Sequence, residues 1–425
     1  MNKTGASWRG HQSLGIIACA VILLTAAGGA PGIAADWAFS PSLRVSETYD
    51  SNINFQFRDR QGDFISSIKP SFLLTGRTEQ DQVSLESIIN GMVYVDNNEL
   101  DRVETFNHAS WIRQWSPRFS SDLGATFIKT TALESQLQEA GIRAVLADQY
   151  HTSFRAKGTY LLTEVLSVTW GGNAGQTWYP DKEFNLPDFY SAAGNLTIAW
   201  KSSDFDTFGL DNAYAFKHYS AYLEDAYVDS QDVQYFRPGL YWEHAFSETT
   251  SLLLGAGYRR TQIEVTYSYP VLLFIPPSRF AIVNKTFTAT TGDDSYDFWA
   301  TLKKRWSERL TSSFSTGRDQ YSDVSGYTYD HMYSGMNITY ALSELTNLGL
   351  DLRYDYNSGI EEGLRETNYF RVTPSIDRKL NKDLTLRLSG SYQYQTEKYA
   401  STETADRFLT LVELVWQLPR LLAGK

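Results

Sequence analysis

The feature that most constrains this chain is a period-two alternation of apolar and polar residues, which recurs from residue 37 almost to the C-terminus. Within 345–356, the even positions from 348 onward are leucine or tyrosine, while the odd positions carry Asn, Gly, Asp and Arg. Residues 384–395 largely repeat this pattern and also end in tyrosines. Because successive side chains of a strand point to opposite faces, the pattern predicts strands that each have one apolar face.

The length of these segments separates a membrane barrel from a soluble sandwich. Many alternate for about 10 residues, which is enough for a tilted strand to cross a bilayer, whereas soluble strands average about 5 or 6. Short polar turns, such as Trp115–Arg118 and Phe246–Thr249, alternate with longer acidic loops, such as Asp96–Glu104 and Glu397–Asp406. Short periplasmic turns opposite longer outer loops are typical of outer-membrane barrels.

The number of alternating segments sets the size of the predicted barrel. We count about eighteen, which lies within the range of known outer-membrane barrels. They are 37–49, 64–76, 83–95, 105–115, 119–129, 148–161, 165–177, 189–200, 207–218, 232–246, 250–264, 295–306, 309–320, 330–342, 345–357, 367–380, 383–396 and 406–418. The sequence therefore predicts an all-β fold, a transmembrane antiparallel up-and-down β-barrel formed by 36–425, with both termini in the periplasm.

The first 35 residues have the composition of a cleaved secretory signal peptide. Lys3 and Arg9 precede an apolar run over Leu14–Ala27, and the small residues Gly32, Ala34 and Ala35 suit a cleavage site. The run is short and is followed by Gly28, Gly29 and Pro31, so a spanning helix of about 20 residues is not expected. Export together with the strand pattern predicts the outer membrane of a Gram-negative cell. The single cysteine of the chain is Cys19, so no disulfide is expected in the mature protein.

Two loops depart from the regular pattern. Thr131–Leu146 has leucine and alanine at helical spacing, so it is interpreted either as an ordered outer loop or as a short helix on or inside the barrel. Tyr267–Asp293 is the longest loop and contains an apolar run before Pro276. It is expected to form a hairpin above the membrane, and a loop that narrows the pore is the alternative.

If the apolar face meets lipid, the charged residues of the other parity line the lumen. The basic candidates are Arg44, Lys69, Arg155, Lys157, Arg237, Arg259, Lys303, Arg305, Arg353, Arg371 and Arg387. The acidic candidates are Glu86, Asp122, Asp211, Glu243, Asp351, Asp355, Asp377 and Glu413. The basic set is the larger although the whole chain has a formal net charge of -11, which predicts a lumen that favours anionic solutes. The alternative is that Arg and Asp pair across strands and brace the wall.

Catalysis and cofactor binding find no support in the sequence. The histidines after residue 35 are His108, His151, His218, His244 and His331, and none has the spacing of a metal site or a nucleophile triad. We therefore expect no enzyme activity, no cofactor and no metal. The pI near 5.1 also argues against nucleic acid as a partner, because phosphates are neutralised by clustered Lys and Arg.

A proline motif gives a more specific resemblance. The pattern apolar-x-Pro-Ser/Gly-apolar occurs at Phe39–Leu43, Ile68–Phe72, Phe236–Leu240 and Val372–Ile376, each inside a predicted strand. Proline lacks the ladder N–H and is expected only at bulges or strand starts. The first copy runs into Val45–Ile53, and this combination resembles the family of outer-membrane proteins called beta-barrel porin 2, which includes barrels from exopolysaccharide operons. The resemblance implies an outer-membrane barrel and an exit pore for a polysaccharide, and it carries no site residues with it.

The leading hypothesis is thus an outer-membrane channel that passes a secreted or surface polysaccharide. The alternatives are a general porin for small solutes, and a plugged structural or adhesive barrel that presents acidic loops. The expected partners are outer-membrane lipid and lipopolysaccharide, the polysaccharide itself and periplasmic export proteins. Trp416 is followed by a tail instead of ending the chain, so the last strand is expected to stop near Leu418 unless its register differs.

Overall fold

A computed structural model describes residues 36–181, 184–220, 228–275, 279–360, 365–399 and 401–423. The predicted signal peptide, 1–35, lies outside the described residues. Within these ranges, none of the helices has the length and apolar character needed to span a membrane.

The chain forms one closed antiparallel sheet. Its strands are β1 (Asp36–Asp50), β2 (Asp63–Arg77), β3 (Asp81–Tyr94), β4 (Arg102–Ser116), β5 (Phe119–Thr131), β6 (Asp148–Leu161), β7 (Leu166–Trp178), β8 (Phe189–Lys201), β9 (Asp206–Ser220), β10 (Val228–Ser247), β11 (Thr250–Ile275), β12 (Arg279–Arg305), β13 (Leu310–Ser322), β14 (Thr328–Ser343), β15 (Thr346–Gly359), β16 (Glu366–Lys379), β17 (Leu384–Lys398), β18 (Thr402–Gln417) and the short β19 (Leu421–Ala423). Each strand from β1 to β17 pairs with the next, and β18 pairs with β1, which closes the barrel. The predicted eighteen-stranded barrel is confirmed.

The outer face of the wall is apolar. Leu414, Val45 and Ile68 lie side by side on β18, β1 and β2, and each is about half exposed. At the end of the barrel that carries the short turns, a set of aromatic side chains is 49% to 60% exposed. They are Trp115, Trp200, Phe246, Trp306 and Trp416. Exposed apolar strands with an aromatic belt are stable in lipid and not in water, so the chain is an outer-membrane β-barrel.

The four motif prolines lie within strands, and each is tolerated in the same way. The β2–β3 ladder skips Pro70, the β10–β11 ladder skips Pro238 and the β16–β17 ladder skips Pro374, while the ladder on the other side of each proline is unbroken. Pro41 lies where β18 gives way to β19, and its carbonyl accepts a hydrogen bond from Leu418 N at 3.1 Å. Each missing N–H therefore interrupts pairing on one side only.

The C-terminal tail continues the wall. β18 ends at Gln417, and after Pro419 the chain pairs again, with Ala423 opposite Trp37 of β1. Both ends of the described chain thus lie at the turn end of the barrel. The predicted stop near Leu418 is correct for β18, and the additional pairing of β19 was not predicted.

The two irregular loops have different structures. Residues 131–146 contain helix α1 (Ala132–Glu139), which lies inside the barrel. A short 3-10 turn at Asn98–Leu100 precedes it in the described chain. The long loop is a hairpin, because β11 and β12 stay paired as far as Ile275 and Arg279. Its strands are longer than the sequence predicted, since Thr- and Val-rich residues continue the ladder beyond the bilayer.

Candidate functional site

The lumen at the long-loop end is filled by helix α1. Thr131 caps the helix by accepting a hydrogen bond from Glu134 N at 3.4 Å. Leu133 and Leu137 are buried against Phe55, Tyr369 and Ala405, which come from the β1–β2 loop, β16 and β18. A second buried cluster covers the other side of the helix, and it consists of Ala132, Ala147, Tyr179, Leu186 and Val324. Apolar packing therefore holds a helix in a space that a barrel of this size would leave as an aqueous channel.

An ion-pair network attaches the start of α1 to the wall. Arg407 of β18 donates through Nε to Asp50 Oδ1 at 3.0 Å and through Nη1 to Glu134 Oε1 at 2.9 Å. Burial alone would raise the pKa of Glu134, but the charge and hydrogen bond of Arg407 outweigh it, so the pKa lies below the ordinary carboxyl value. Glu134 is thus held as a carboxylate at neutral pH.

Wall side chains also bind the backbone at the end of α1. Arg353 donates to Glu139 O at 2.7 Å and to Gln138 O. Asn357 donates to Ala140 O at 2.9 Å and Gln395 donates to Gly141 O at 3.1 Å. Carbonyl groups at the end of a helix lack partners within it and carry partial negative charge, so an Arg there stabilises the docked helix.

The tip of the β13–β14 hairpin packs against α1 and closes more of the lumen. We call residues 319–331 the flap. Tyr321 donates to Glu139 Oε2 at 3.0 Å, and Val324 N donates to Gln136 Oε1 at 3.3 Å. Asp323 lies beside Arg365 at 3.3 Å, and burial raises the pKa of its carboxyl although Arg365 partly opposes this. Helix α1 and the flap therefore form one plug, and each supports the other.

A cavity of about 450 Å³ lies directly beneath this plug. Its lining includes His331, Tyr333, Asp351, Arg371 and Glu139. His331 contacts Asp319 at 2.9 Å, and Arg371 donates to Asp351 at 2.9 Å. The cavity therefore offers a solute mostly charges that are already paired with one another.

The register places all the sequence-predicted lumen residues on inner-face rows, but they form two groups. In the first group, the charges are paired within the wall. Its pairs are Arg155–Asp122, Arg237–Asp211, Arg371–Asp351, Arg353–Asp355, Arg387–Asp377, Arg387–Glu413 and Arg259–Asp297. All of these pairs except Arg353–Asp355, which lies within β15, brace neighbouring strands, as the alternative interpretation of the sequence supposed.

The second group has no ion pair with any residue that the structure describes. Its basic members are Arg44, Lys69, Lys157, Lys303 and Arg305, and its acidic members are Glu86 and Glu243. Arg44 and Lys69 face each other at mid-height of β1 and β2, while Lys303 and Arg305 lie near the turn end of β12. The predicted lumen residues that remain unpaired between the plug and the turns therefore carry an excess of positive charge.

Of the residues that hold the plug, Arg353 was predicted as a lumen residue, and most of the others were missed by sequence reasoning. Arg407 has the inner-face parity of its predicted strand, and this signal could have identified it. Gln395 has the inner-face parity of its predicted strand as well, whereas Asp50 and Glu134 lie outside the predicted strands and carry no local signal. Across the described ranges, no cluster of three or more His, Cys, Asp or Glu side chains is placed to hold a metal ion.

The comparisons with known proteins identify similar barrels. No protein-family model and no curated protein matches the chain. Among solved structures, the ferric-catecholate import receptor Fiu of E. coli K12 is 8% identical, with 88% of this chain and 81% of that chain covered at a TM-score of 0.45. OpdK of Pseudomonas aeruginosa, solved with vanillate, is 11% identical over 91% and 99% of the two chains at a TM-score of 0.43. OccK2 (OpdF) of the same organism is 10% identical over 90% and 98% at 0.43. None of these likenesses identifies a solute for this chain.

Proposed function

We propose that this outer-membrane barrel is a channel for small hydrophilic solutes with a preference for anions, and that α1 and the flap set its aperture. The observation that carries the proposal is the free charge of the lumen. Among the lumen residues predicted from the sequence, five basic side chains lack an ion pair within the described residues, against two acidic ones. Paired charges largely cancel, so the free ones govern which ions enter a water-filled lumen.

The plug supports small solutes over polymers. A polysaccharide would have to displace both α1 and the flap, with two buried apolar clusters and the Arg407 network. A small ion needs a much narrower path along the same wall. The proposed cargo is therefore small, and direction comes from its gradient, because the barrel has no energy source.

Polysaccharide export is the second candidate function. It rests on the resemblance of the proline motif, and one observation favours it. Lys157, Lys303 and Arg305 lie toward the turn end, which is the periplasmic side in our proposed orientation, where they would attract an acidic polymer. Periplasmic export proteins, and lipopolysaccharide around the acidic outer loops, would be the partners in that case.

Single-channel recording in planar bilayers tests these proposals. The mature chain, refolded and verified as a heat-modifiable barrel, is recorded in a KCl gradient, and the reversal potential gives the ratio of chloride to potassium permeability. We expect small, anion-selective openings that acidic oligosaccharides do not block. Large openings blocked by acidic oligosaccharides would support the export candidate. A folded barrel without conductance would leave the plugged structural barrel as the remaining interpretation.

A further inference from the structure

Strands β12 and β13 are paired over only part of their length, and this is where the wall of the barrel divides. Their ladder begins at the turn end and stops at the pair Phe298–Arg318. Beyond this point β12 stays paired with β11 as far as Arg279, while β13 continues to Ser322 and pairs only with β14. Residues 279–297 of β12 therefore have an edge with which no described strand pairs.

Above the division, the two parts of the wall overlap. Phe298, Arg318 and Met332 form one outward-facing row, so Gln320 and Asp330, the next pair of the same parity on β13 and β14, also belong to the outer face. On β11, exposed Leu254 and Tyr258 mark the outer parity, so Arg259 and Thr261 belong to the inner face.

Side chains of these opposite faces nevertheless meet. Thr261 Oγ1 donates to Gln320 Oε1, and Arg259 donates to Asp330. An inner-face residue can contact an outer-face residue of the next wall segment only where one segment lies inside the other. The flap therefore lies on the lumen side of the β11–β12 hairpin.

The tip of the flap reaches past the β11–β12 hairpin to the neighbouring strands β9 and β10. Lys217 of β9 donates to Ser322 O at 3.1 Å, and Tyr219 of the same strand donates to Asp323 O at 3.0 Å. Gln231 of β10 donates to Gly326 O at 3.0 Å. These bonds end on backbone carbonyls of the flap, so they fix its position and depend little on its side chains.

A buried arginine holds the overlap together. Arg259 is fully buried, and it donates to Asp297 on its own hairpin at 2.8 Å as well as to Asp330 on the flap. Arg318 binds the other oxygen of Asp330 at 2.7 Å. Asp330 is thus shared by two arginines, one on each side of the division.

We propose that the flap is a gate that moves between this inward position and a wall position, in which β13 extends its ladder along the free edge of β12. Continuing the register past Phe298–Arg318 places Asp297 opposite Asp319, Tyr296 opposite Gln320 and Ser295 opposite Tyr321. The movement gives up the contacts of Arg259 and Thr261 with the flap, and also the three bonds from β9 and β10. In exchange it forms backbone hydrogen bonds that an unpaired edge is ready to form. It also withdraws Tyr321 and Val324 from α1, which opens the lumen.

The inward position has one clear advantage in the described state. In the wall position Asp297 and Asp319 would face each other on one side of the sheet, where like charges are unfavourable. In the inward position these two carboxylates lie on separate wall segments, Asp297 beside Arg259 and Asp319 beside His331. The gate therefore rests closed and opens transiently.

Three pairs of cysteines test the gate, and the mature chain has no cysteine of its own. Tyr296→Cys with Gln320→Cys can form a disulfide only in the wall position. Thr261→Cys with Gln320→Cys joins residues in contact in the inward position. Ala300→Cys with Thr316→Cys is the matched control, because these residues are already paired on the same two strands.

We expect all three pairs to cross-link in the folded barrel. The wall pair should increase the mean single-channel current at least several-fold, and reduction should reverse the increase. The inward pair should abolish the larger openings, and the control should leave the current unchanged.

Two results would overturn the gate. One is that the wall pair stays reduced while the inward and control pairs cross-link, and the other is a cross-linked wall pair with wild-type current. The current readout rests on the proposed channel function, whereas the cross-linking yield does not. If no variant conducts, the channel proposal fails, and the yield of the wall pair still decides whether the flap moves.

Discussion

The guanidinium of Arg407 on β18 lies 2.9 Å from the carboxylate of Glu134 on α1, and the same guanidinium binds Asp50 of β1. One side chain therefore joins the two strands that close the barrel to the helix that fills it. The charge of Glu134 is the part of this network that concerns the plug alone, because Asp50 still compensates Arg407 when Glu134 is neutral.

Glu134→Gln should weaken the docking of α1. Loss of a hydrogen bond between charged groups costs about 1.5–3 kcal/mol, so we expect openings to become roughly ten times more frequent or more. The measurement is the open probability in planar bilayers. Glu403→Gln is the control, since Glu403 pairs with the exposed Arg58 away from the plug. Equal open probabilities for the two variants would contradict a role of Glu134 in holding the plug.

Acid should release the plug through the same carboxylate. The folded-state pKa of Glu134 is lowered, so its contribution to docking is complete above the ordinary carboxyl pKa and is lost as pH falls through the lowered value. Open probability should therefore rise as pH falls below the ordinary carboxyl pKa and through the lowered pKa of Glu134, and this rise should be absent in Glu134→Gln.

Asp323 affects the stability of the plug with a pH dependence opposite to that of Glu134. Its raised pKa means that its contribution to stability is present at low pH and is lost as pH rises through the raised value. Because Asp323 is present in both wild type and Glu134→Gln, the difference between their acid responses reports on Glu134 alone. An identical acid response in both proteins would show that Glu134 is not the group responsible.

Neutralising the free cations of the lumen should reduce the preference for anions. We expect the triple variant Lys157→Gln, Lys303→Gln, Arg305→Gln to lower the ratio of chloride to potassium permeability about twofold or more, because lumen charges set selectivity. Reversal potentials measure this ratio. Lys382→Gln is the control, as Lys382 lies exposed in the turn between β16 and β17. Unchanged selectivity in the triple variant would remove the main support for the proposed function.

Leu133→Ala should loosen the plug without unfolding the barrel. Leu133 is fully buried, and truncating such a leucine costs about 2–5 kcal/mol. We expect faster proteolysis within 132–147, while the heat-modifiable mobility of the barrel on gels stays unchanged. The matched control is Val145→Ala in the same loop, because Val145 is 41% exposed. Equal cleavage rates would mean that the buried cluster does not hold the helix.

Gly141→Ala should have a similar effect for a different reason. Gly141 has a φ of +64°, and a Cβ there would lie 2.6 Å from the side chain of Tyr369. Backbone strain of this kind costs about 1–3 kcal/mol, so the turn after α1 should become sensitive to protease. In Gly390→Ala the new Cβ would lie 3.9 Å from Leu409 O, so this variant should resist protease like the wild type. Resistance of Gly141→Ala would show that the turn can relax.

The strands could be predicted from sequence because their physical cause is local. Lipid on one side and water on the other impose alternation with period two, and this holds for β15 and β17 whatever their neighbours are. The apolar-x-Pro motif was also visible, but its explanation was not. One-sided interruption of a ladder, as at Pro374, depends on which neighbouring strand would have needed the missing N–H.

The plug could not be predicted, because its energy comes from contacts between distant parts of the chain. The spacing of Leu133 and Leu137 fits a helix inside the barrel and a helix above it equally well. The choice is made by Phe55, Tyr369 and Arg407, which reach α1 only after the barrel has closed. The overlap at Arg259 could not be predicted for the same reason. Period-two parity shows to which face of the sheet each residue belongs, but it does not show how the wall curves.

The pairing of β1 with β18 has a consequence for biogenesis. The first strand to be synthesised must wait for the last, so two unpaired edges persist until the C-terminal residues arrive, and contacts of such long range form slowly. A chain truncated before β18 would keep both edges open and would be prone to aggregate. Arg407 and its partners also come together only at this final step, so the ion-pair network that attaches α1 to the wall is incomplete until assembly has finished.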